Sequence, residues 1–369
     1  MIIDSSPTIY KSKPKLNSKT RVVEAYKSAL EELFFLSNPK FKKNSPQSKA
    51  LLKKFIQTSK TKDVWIYYKD QNTVVHTINE LAYFKLRTAR NKNIITEKEQ
   101  LNFRNLSVGI AGLSVGSCIL AGIVTSGGSK NIKIADFDTL EITNLNRIKA
   151  KLTDIGSDKT TIAAKEVWNL DPFAKLTLYS EGLTQKNLKE FILKTPKLNV
   201  FIDEMDSIPM KVQARLICKA NKIPVVMATD NGDTVILDIE RFDQEPKRKI
   251  FHGTIKDTDL KNLDSLTYKE WLKIATQIVS PKHLTPEMQN SLLLIGKELA
   301  GVPQLGAIAS VAGAAVCFVL RRIANKQAMP SGRYTISLEE KLVPNYNNAT
   351  QKSLRNKQTE SFIKKFAVQ

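Results

Sequence analysis

The stretch that decides the fold is residues 106–159, LSVGIAGLSVGSCILAGIVTSGGSKNIKIADFDTLEITNLNRIKAKLTDIGSDK. It starts with a short apolar run, continues through a glycine turn at residues 111–117, and then shows apolar residues at helical spacing. A second apolar run ends at Asp136, which follows Gly116 by 20 residues. A Rossmann unit places its ribose-binding carboxylate at about this distance from the turn. The helix that begins in the turn would present free backbone N–H groups to a phosphate, so the segment predicts a nucleotide site.

The glycine turn by itself is an incomplete fingerprint, because it contains only Gly112 and Gly116 of the three glycines that dinucleotide-binding proteins use. The polar residues after the second strand add the missing information. A dehydrogenase does not need Asn144, Arg147 and Lys159 after its ribose carboxylate. A site that holds a triphosphate does need them, since positioned cations and donors stabilise charge on phosphate oxygens. The pattern therefore favours ATP over a dinucleotide.

Several short motifs carry a resemblance to a known family. They are DFDTLE at 136–141, NLNR at 144–147, DIG at 154–156, NLDP at 169–172 and FIDEMD at 201–206. Together they resemble the ThiF/MoeB/HesA family of adenylating enzymes, the bacterial relatives of ubiquitin-activating enzyme. Upstream, RTARN at 87–91 is similar to the family's arginine-containing lead-in to the first strand. The resemblance covers residues 87–242 well.

The resemblance implies an α/β fold with a Rossmann-like, mostly parallel sheet flanked by helices. It also implies that a carboxylate is activated by ATP with Mg²⁺ as an acyl-adenylate, with release of pyrophosphate. The acceptor would be the C-terminus of a ubiquitin-like protein or peptide, or a small-molecule carboxylate. The site residues that it implies are Gly112 and Gly116 in the turn, Asp136 on the ribose, Asn144, Arg147 and Lys159 on phosphates, Asp206 on Mg²⁺, and Arg90 on a phosphate.

In this family the residue matching Arg90 often reaches the site from the second subunit, so a homodimer is expected. The chain also departs from the family pattern. Ala111 and Leu113 replace family glycines, and no CxxC pair is present for a structural zinc. The cysteines lie on predicted helices, far apart from one another, which argues against a thioester step and suits a reducing cytoplasm.

The formal net charge of +21 is placed unevenly along the chain. Residues 1–104 carry 21 Lys and Arg against 9 Asp and Glu, and residues 246–369 carry 19 against 9. The middle, residues 105–245, is balanced at 17 against 18. The basic flanks are either a lysine-rich surface or a surface for an anionic partner. The alternative functions are thus a tRNA-modifying ATP-dependent enzyme of the same fold, or a nucleotide-binding scaffold without catalysis.

Five regions are predicted. They are a disordered tail (1–20), a mainly helical N-terminal region (21–104), the nucleotide-binding domain (105–245), the C-terminal part of the adenylation domain (246–343) and a fraying polar tail (344–369). Strands and helices that alternate up to residue 242 predict parallel strands joined by helical crossovers. The apolar run at 305–320 is followed by arginines and predicts a buried helix, not a membrane span.

Overall fold

A computed structural model describes residues 6–255 and 263–368 of the chain. The strands are β1 (Thr8–Tyr10), β2 (Arg21–Glu24), β3 (Asp63–Tyr68), β4 (Thr73–Ile78), β5 (Ser107–Ala111), β6 (Asn131–Ala135), β7 (Lys175–Tyr179), β8 (Val200–Asp203), β9 (Val225–Asn231), β10 (Thr234–Glu240) and β11 (Gly332–Ser337). The helices are α1 (Tyr26–Ser37), α2 (Pro46–Thr58), α3 (Glu80–Arg87), α4 (Glu97–Asn105), α5 (Val115–Thr125), α6 (Lys159–Leu170), α7 (Leu188–Leu193), α8 (Ile208–Ala220), α9 (Tyr268–Val279), α10 (Pro286–Leu294), α11 (Gly306–Ala324), α12 (Leu338–Leu342) and α13 (Ala349–Val368).

The main sheet has seven strands in the order β11-β10-β9-β8-β5-β6-β7. Strands β5 to β9 are parallel to one another. The chain runs from β5 outward to β6 and β7, and then continues on the other side of β5 with β8 and β9. The direction of winding therefore reverses between β5 and β8, and open α/β sheets bind ligands outside the carboxyl ends of the strands at such a point. The predicted Rossmann-like architecture is confirmed.

The far side of the sheet is antiparallel, which corrects the prediction of parallel strands up to residue 242. Strands β9 and β10 form a hairpin in which Asn231 pairs with Thr234. The two residues between them, Gly232 and Asp233, make the turn, and Gly232 has a φ of 63°. Two-residue hairpin turns of this kind require positive φ, which glycine adopts without strain. Strand β11 then pairs with β10, so regions 105–245 and 246–343 share one sheet.

Helix α11 contains the apolar run, and it packs against α5. The two backbones touch, because a Cβ built on Gly313 would lie 2.5 Å from the carbonyl oxygen of Cys118. The length and composition of α11 would also allow it to cross a membrane. The face that includes Ile308, Ala312 and Val316 is buried in the core of the main sheet. Burial of this face confirms the prediction of a core helix.

The N-terminal region contains helices α1 to α4 and also a sheet, and one strand of this sheet lies within the predicted disordered tail. Strands β1 to β4 form a second sheet in the order β1-β3-β4-β2, and β1 lies inside the predicted tail. The strand β2 was placed in a helical pattern, but it pairs in parallel with β4. Pairing with a neighbouring strand outweighs the weak local preference of such a short segment. Helix α1 packs Leu30 and Leu33 against Ile78 on this sheet.

The predicted fraying tail is also wrong for the described residues after 348. Helix α13 packs against α10, where Phe362 and Phe366 contact Met288 and Leu292 in one buried cluster. The two phenylalanines are four residues apart and therefore lie on the same face of the helix. Most other positions of α13 are polar, so this narrow apolar face does not stand out in the sequence.

Candidate functional site

The glycine turn lies between the end of β5 and the start of α5. Gly112 has a φ of 90°, and a Cβ at this position would lie 2.2 Å from the carbonyl oxygen of Glu204. Its N–H donates to the carbonyl oxygen of Ala135 at 2.8 Å. The turn is thus pressed between the ends of β6 and β8, and only glycine fits there. Gly116 lies one turn further on, beneath the site, where an added Cβ would meet Ile110 at 3.0 Å.

Asp136 follows β6 and braces this turn. One carboxylate oxygen accepts a hydrogen bond from the N–H of Leu113 at 2.6 Å, and the other accepts from the N–H of Asp138 at 2.8 Å. Burial raises the pKa of Asp136, although these two hydrogen bonds and the charge of Lys159 oppose the rise. A carboxylate has about four lone-pair sites. After the two backbone bonds it can still accept hydroxyl groups from a ribose.

Two cations lie beside the turn. Lys159 is the first residue of α6, is only 7% exposed, and places its Nζ 2.8 Å from Oδ2 of Asp138. Arg147 donates from Nε to Oγ of Ser114 at 2.6 Å. Desolvation lowers the pKa of Arg147, while nearby carboxylates raise it. An arginine remains charged under such conditions, so both groups can meet an anion.

The partners of Arg147 are held by the segment that precedes α11. One guanidinium nitrogen of Arg147 donates to Oδ1 of Asn146 at 2.8 Å, and Nδ2 of Asn146 donates to the carbonyl oxygen of Gln304 at 2.9 Å. The hydroxyl of Ser114 lies 3.3 Å from Oε1 of Gln304. At the start of α11, a Cβ on Gly306 would lie 1.9 Å from the carbonyl oxygen of Asn146. The orientation of Arg147 therefore depends on residues more than 150 positions away.

Two aspartates of the same motif, Asp203 at the end of β8 and Asp206 in the loop after it, have different environments. Asp203 is fully buried and forms ion pairs with Arg215 and Lys211, so it is not available to a ligand. Asp206 is exposed and lines the site. Mg²⁺ in nucleotide sites is usually held by one or two carboxylates together with substrate phosphates. Asp206 fits that role, and no cluster of three metal-binding side chains occurs among residues 6–255 and 263–368.

These residues line one cavity of about 1010 Å³ at the point where the strand order reverses. Six of the eight predicted site residues are in its wall: Gly112, Asp136, Asn144, Arg147, Lys159 and Asp206. Gly116 supports the turn from below. Arg90 lies elsewhere, next to Asn91, whose side chain donates to the carbonyl oxygen of Ser126 beyond the far end of α5.

Helix α5 has 11 residues and is therefore about 16 Å long. Since the site lies at its N-terminal end, the exposed Arg90 does not reach the cavity of its own chain.

Asp230 in β9 is a cavity residue that sequence reasoning missed. It is 5% exposed, and neither carboxylate oxygen has a hydrogen-bond partner in the described part of the chain. Burial raises the pKa of Asp230 to about 6, against the opposing effect of Arg147. Asp230 lies in none of the motifs that carry the resemblance, so they did not indicate it. Its position near the end of an apolar strand was the available signal.

The chain is similar in sequence to several curated proteins. The chain is 34% identical over 278 residues to the uncharacterized protein MT1398 of Mycobacterium tuberculosis, across 75% of this chain and 38% of that protein. It is 27% identical over 146 residues to tRNA threonylcarbamoyladenosine dehydratase of Escherichia coli, across 38% of this chain and 53% of the enzyme. The chain thus spans about half or less of the length of these curated relatives.

Among solved structures, the crystal structure of PaaA aligns with a TM-score of 0.49 and 17% identity, across 71% of this chain and 78% of that one. The model of the ThiF family matches residues 87–358, which is most of the chain and includes every cavity residue named above. The chain therefore belongs to the ThiF family.

Proposed function

We propose that the protein is an ATP-dependent adenylyltransferase that activates a carboxylate as an acyl-adenylate. The observation that carries the proposal is the gathering of Arg147, Lys159 and Asp206 around the Gly112 turn, with Asp136 beneath it. A carboxylate and two cations meet there at a helix N-terminus, where backbone N–H groups also favour phosphate. This combination suits a nucleoside triphosphate better than an uncharged ligand.

The reaction itself needs little acid–base chemistry. The acceptor carboxylate is already ionised at neutral pH. One of its oxygens forms a bond to the α-phosphorus of ATP while the bond from that phosphorus to the pyrophosphate oxygen breaks, and pyrophosphate leaves with the bonding electrons. The protein has to bring two anions together and stabilise the charge that moves to pyrophosphate. Mg²⁺ held by Asp206 would neutralise part of that charge.

Each side chain has a defined part in this proposal. Lys159 exchanges Oδ2 of Asp138 for a phosphate oxygen, and Arg147 meets a second phosphate while Ser114 keeps it oriented. Oδ1 of Asn144 accepts from the backbone N–H of Glu141 at 3.1 Å, which directs its amide nitrogen, a donor, to the ligand. Asp136 accepts the ribose hydroxyls.

The first prediction concerns the two cations. Arg147→Ala and Lys159→Ala should each lower kcat/KM for ATP–pyrophosphate exchange on the order of a hundredfold, because each removes a stabilising donor. Lys151→Ala is the matched control, since Lys151 is an exposed lysine of the same segment outside the cavity. Calorimetry should show binding of Mg-ATP in preference to NAD. Tight NAD binding without ATP binding would contradict the proposal.

A second function is favoured by the basic flanks and by the similarity to the tRNA dehydratase. In this case the carboxylate would belong to a modified tRNA base. A mobility shift with tRNA at physiological salt would support it. A shift that modest salt abolishes for every RNA alike would show only non-specific attraction of phosphate.

We also propose that the protein acts in the cytoplasm as a homodimer in which Arg90 serves the site of the second subunit. The support for the dimer is the position of Arg90 at the far end of α5 from its own cavity. The support for a reducing compartment is that Cys118, Cys218 and Cys317 are free thiols.

A further inference from the structure

The cavity extends well beyond the residues that would hold ATP. Its second half is formed by α9, α10 and the residues that connect them. Besides Thr276, whose hydroxyl group is polar, this half is lined by Leu272, Ala275, Ile278, Val279, Leu284 and Met288. We call it the apolar lobe after these six side chains. These side chains are aliphatic or thioether groups, which offer a ligand dispersion contacts and no hydrogen bonds.

The apolar lobe begins next to the proposed Mg²⁺ carboxylate. Nε1 of Trp271 on α9 donates to the backbone carbonyl oxygen of Asp206 at 2.9 Å. The ring of Trp271 stacks on Tyr268 with 5.8 Å between the centroids and 12° between the planes. Both rings are in the cavity wall, at the junction of the two halves. A group attached to a carboxylate that reacts beside Asp206 would therefore point past this aromatic pair into the apolar lobe.

Among the described residues, the charged side chains at the edge of the lobe already have a partner or lie on the nucleotide side of the cavity. Nζ of Lys211, which lines the cavity, lies 3.2 Å from Oδ1 of the buried Asp203. Oε1 of Glu204 accepts a hydrogen bond from the backbone N–H of Ala228 at 2.9 Å. A polar or charged substituent would lose its hydration in the lobe without gaining a partner from these residues.

From this arrangement we infer that the acceptor is a carboxylic acid with a bulky apolar group close to its carboxylate. The inference rests on the proposed adenylation and adds the substrate class. The same chemistry occurs in a free acid and in a peptide that ends in a large apolar residue. It does not occur in a protein tail that ends in glycine, whose side chain is a single hydrogen atom and makes few apolar contacts in the lobe.

The expected preference for an apolar acceptor over a glycine acceptor depends on how much apolar surface of the acceptor becomes buried in the lobe. A leucine-sized side chain that moves from water into the lobe should raise kcat/KM on the order of a hundredfold over glycine. The test is ATP–pyrophosphate exchange with N-acetylglycine, N-acetylleucine and N-acetylphenylalanine, whose carboxylates are equally ionised at neutral pH. Tripeptides that end in the same three residues form the second arm. Faster exchange with the tripeptides would identify a peptide as the source, and equal rates would identify a free acid.

Two substitutions in α9 distinguish an effect of filling the lobe from a general effect of a large side chain on the helix. Ala275→Trp fills part of the lobe and should remove most of the preference for leucine and phenylalanine, while binding of Mg-ATP measured by calorimetry stays the same. Gln277→Trp adds the same ring to an exposed position of α9 outside the cavity wall, so it should keep the preference.

The results also distinguish this inference from the proposed function. Exchange that is as fast with N-acetylglycine as with N-acetylleucine would overturn the apolar acceptor and leave adenylation in place. Loss of the leucine preference in Gln277→Trp as well as in Ala275→Trp would overturn the assignment to the lobe. Absence of Mg-ATP binding by the unaltered protein would overturn the proposed function itself. Binding of Mg-ATP without exchange for any apolar acid in either arm would overturn the inferred substrate class.

Discussion

A side chain at Gly112 would affect both the stability of the fold and the binding of ATP. Its φ of 90° and the 2.2 Å that an added Cβ would leave to Glu204 make any side chain costly. Gly112→Ala should lose about 1–3 kcal/mol of unfolding free energy and weaken ATP binding, because the turn must move away from the loop after β8. Urea unfolding and calorimetry measure the two effects. Gly301→Ala is the control, since an added Cβ there meets no atom within 4 Å, and equal losses in both variants would refute the argument.

Asp230 gives a pH-dependent prediction. Its pKa of about 6 in the folded protein lies above the ordinary value of 3.8. Between these two values the folded state binds more protons than the unfolded state, so this residue makes the protein less stable as pH rises from about 4 to 6. Asp230→Asn removes the effect, and its unfolding free energy should exceed that of the unaltered protein by up to about 3 kcal/mol above pH 6. The measurement is urea unfolding from pH 4 to 7, and a constant difference over that range would contradict the prediction.

The sequence predicts cavity residues where short motifs carry them, and misses residues that depend on the three-dimensional arrangement. Arg147 and Lys159 were found because both lie in or beside the short motifs that carry the family resemblance. Asp230 was missed because it lies in none of these motifs. The support that Gln304 gives to Arg147 has no local signature, since the two residues meet only after the chain has formed α11.

Among the elements, the buried strands were the easiest to predict. Strands β5 and β8 are buried at every position, and apart from Ser107 and Asp203 at their ends they contain no polar side chain. Strands β1 and β2 are short and mostly exposed, so hydrophobic periodicity does not reveal them. The prediction of parallel strands up to residue 242 missed the antiparallel hairpin of β9 and β10, because β10 is buried at every position like a strand of a parallel sheet.

Helix α13 provides a prediction about packing between elements. Phe362 is 2% exposed against α10, whereas its neighbour Ile363 is 40% exposed. Phe362→Ala should lower the unfolding free energy by about 3–5 kcal/mol, because it leaves a cavity between the two helices. Ile363→Ala should change it by less than about 0.5 kcal/mol, as expected for a surface position. Urea unfolding of both variants checks the prediction, and equal midpoints would mean that α13 does not pack as described.

For the whole molecule, the decisive question is whether two chains share one site. Arg90→Ala and Lys159→Ala should each lose most of the exchange activity, but a mixture of the two should regain about a quarter of the original activity, because mixed dimers restore one complete site. The mixture is tested after the subunits have been unfolded and refolded together, with each variant alone as the control. A mixture that stays inactive, or a single-chain mass by light scattering with full ATP binding, would exclude the shared site.

The contact between Gly306 and Asn146 has a consequence for how this chain can be divided. A fragment that ends before residue 300 would keep every cavity residue that the motifs identify, and it would still lack Gln304 and the start of α11. In such a fragment, Ser114 and Asn146 would lose their contacts with Gln304, and these two residues orient Arg147. Residues 106–206 therefore do not form the nucleotide site by themselves. A chimera with a relative has to exchange residues 106–206 and 303–324 together.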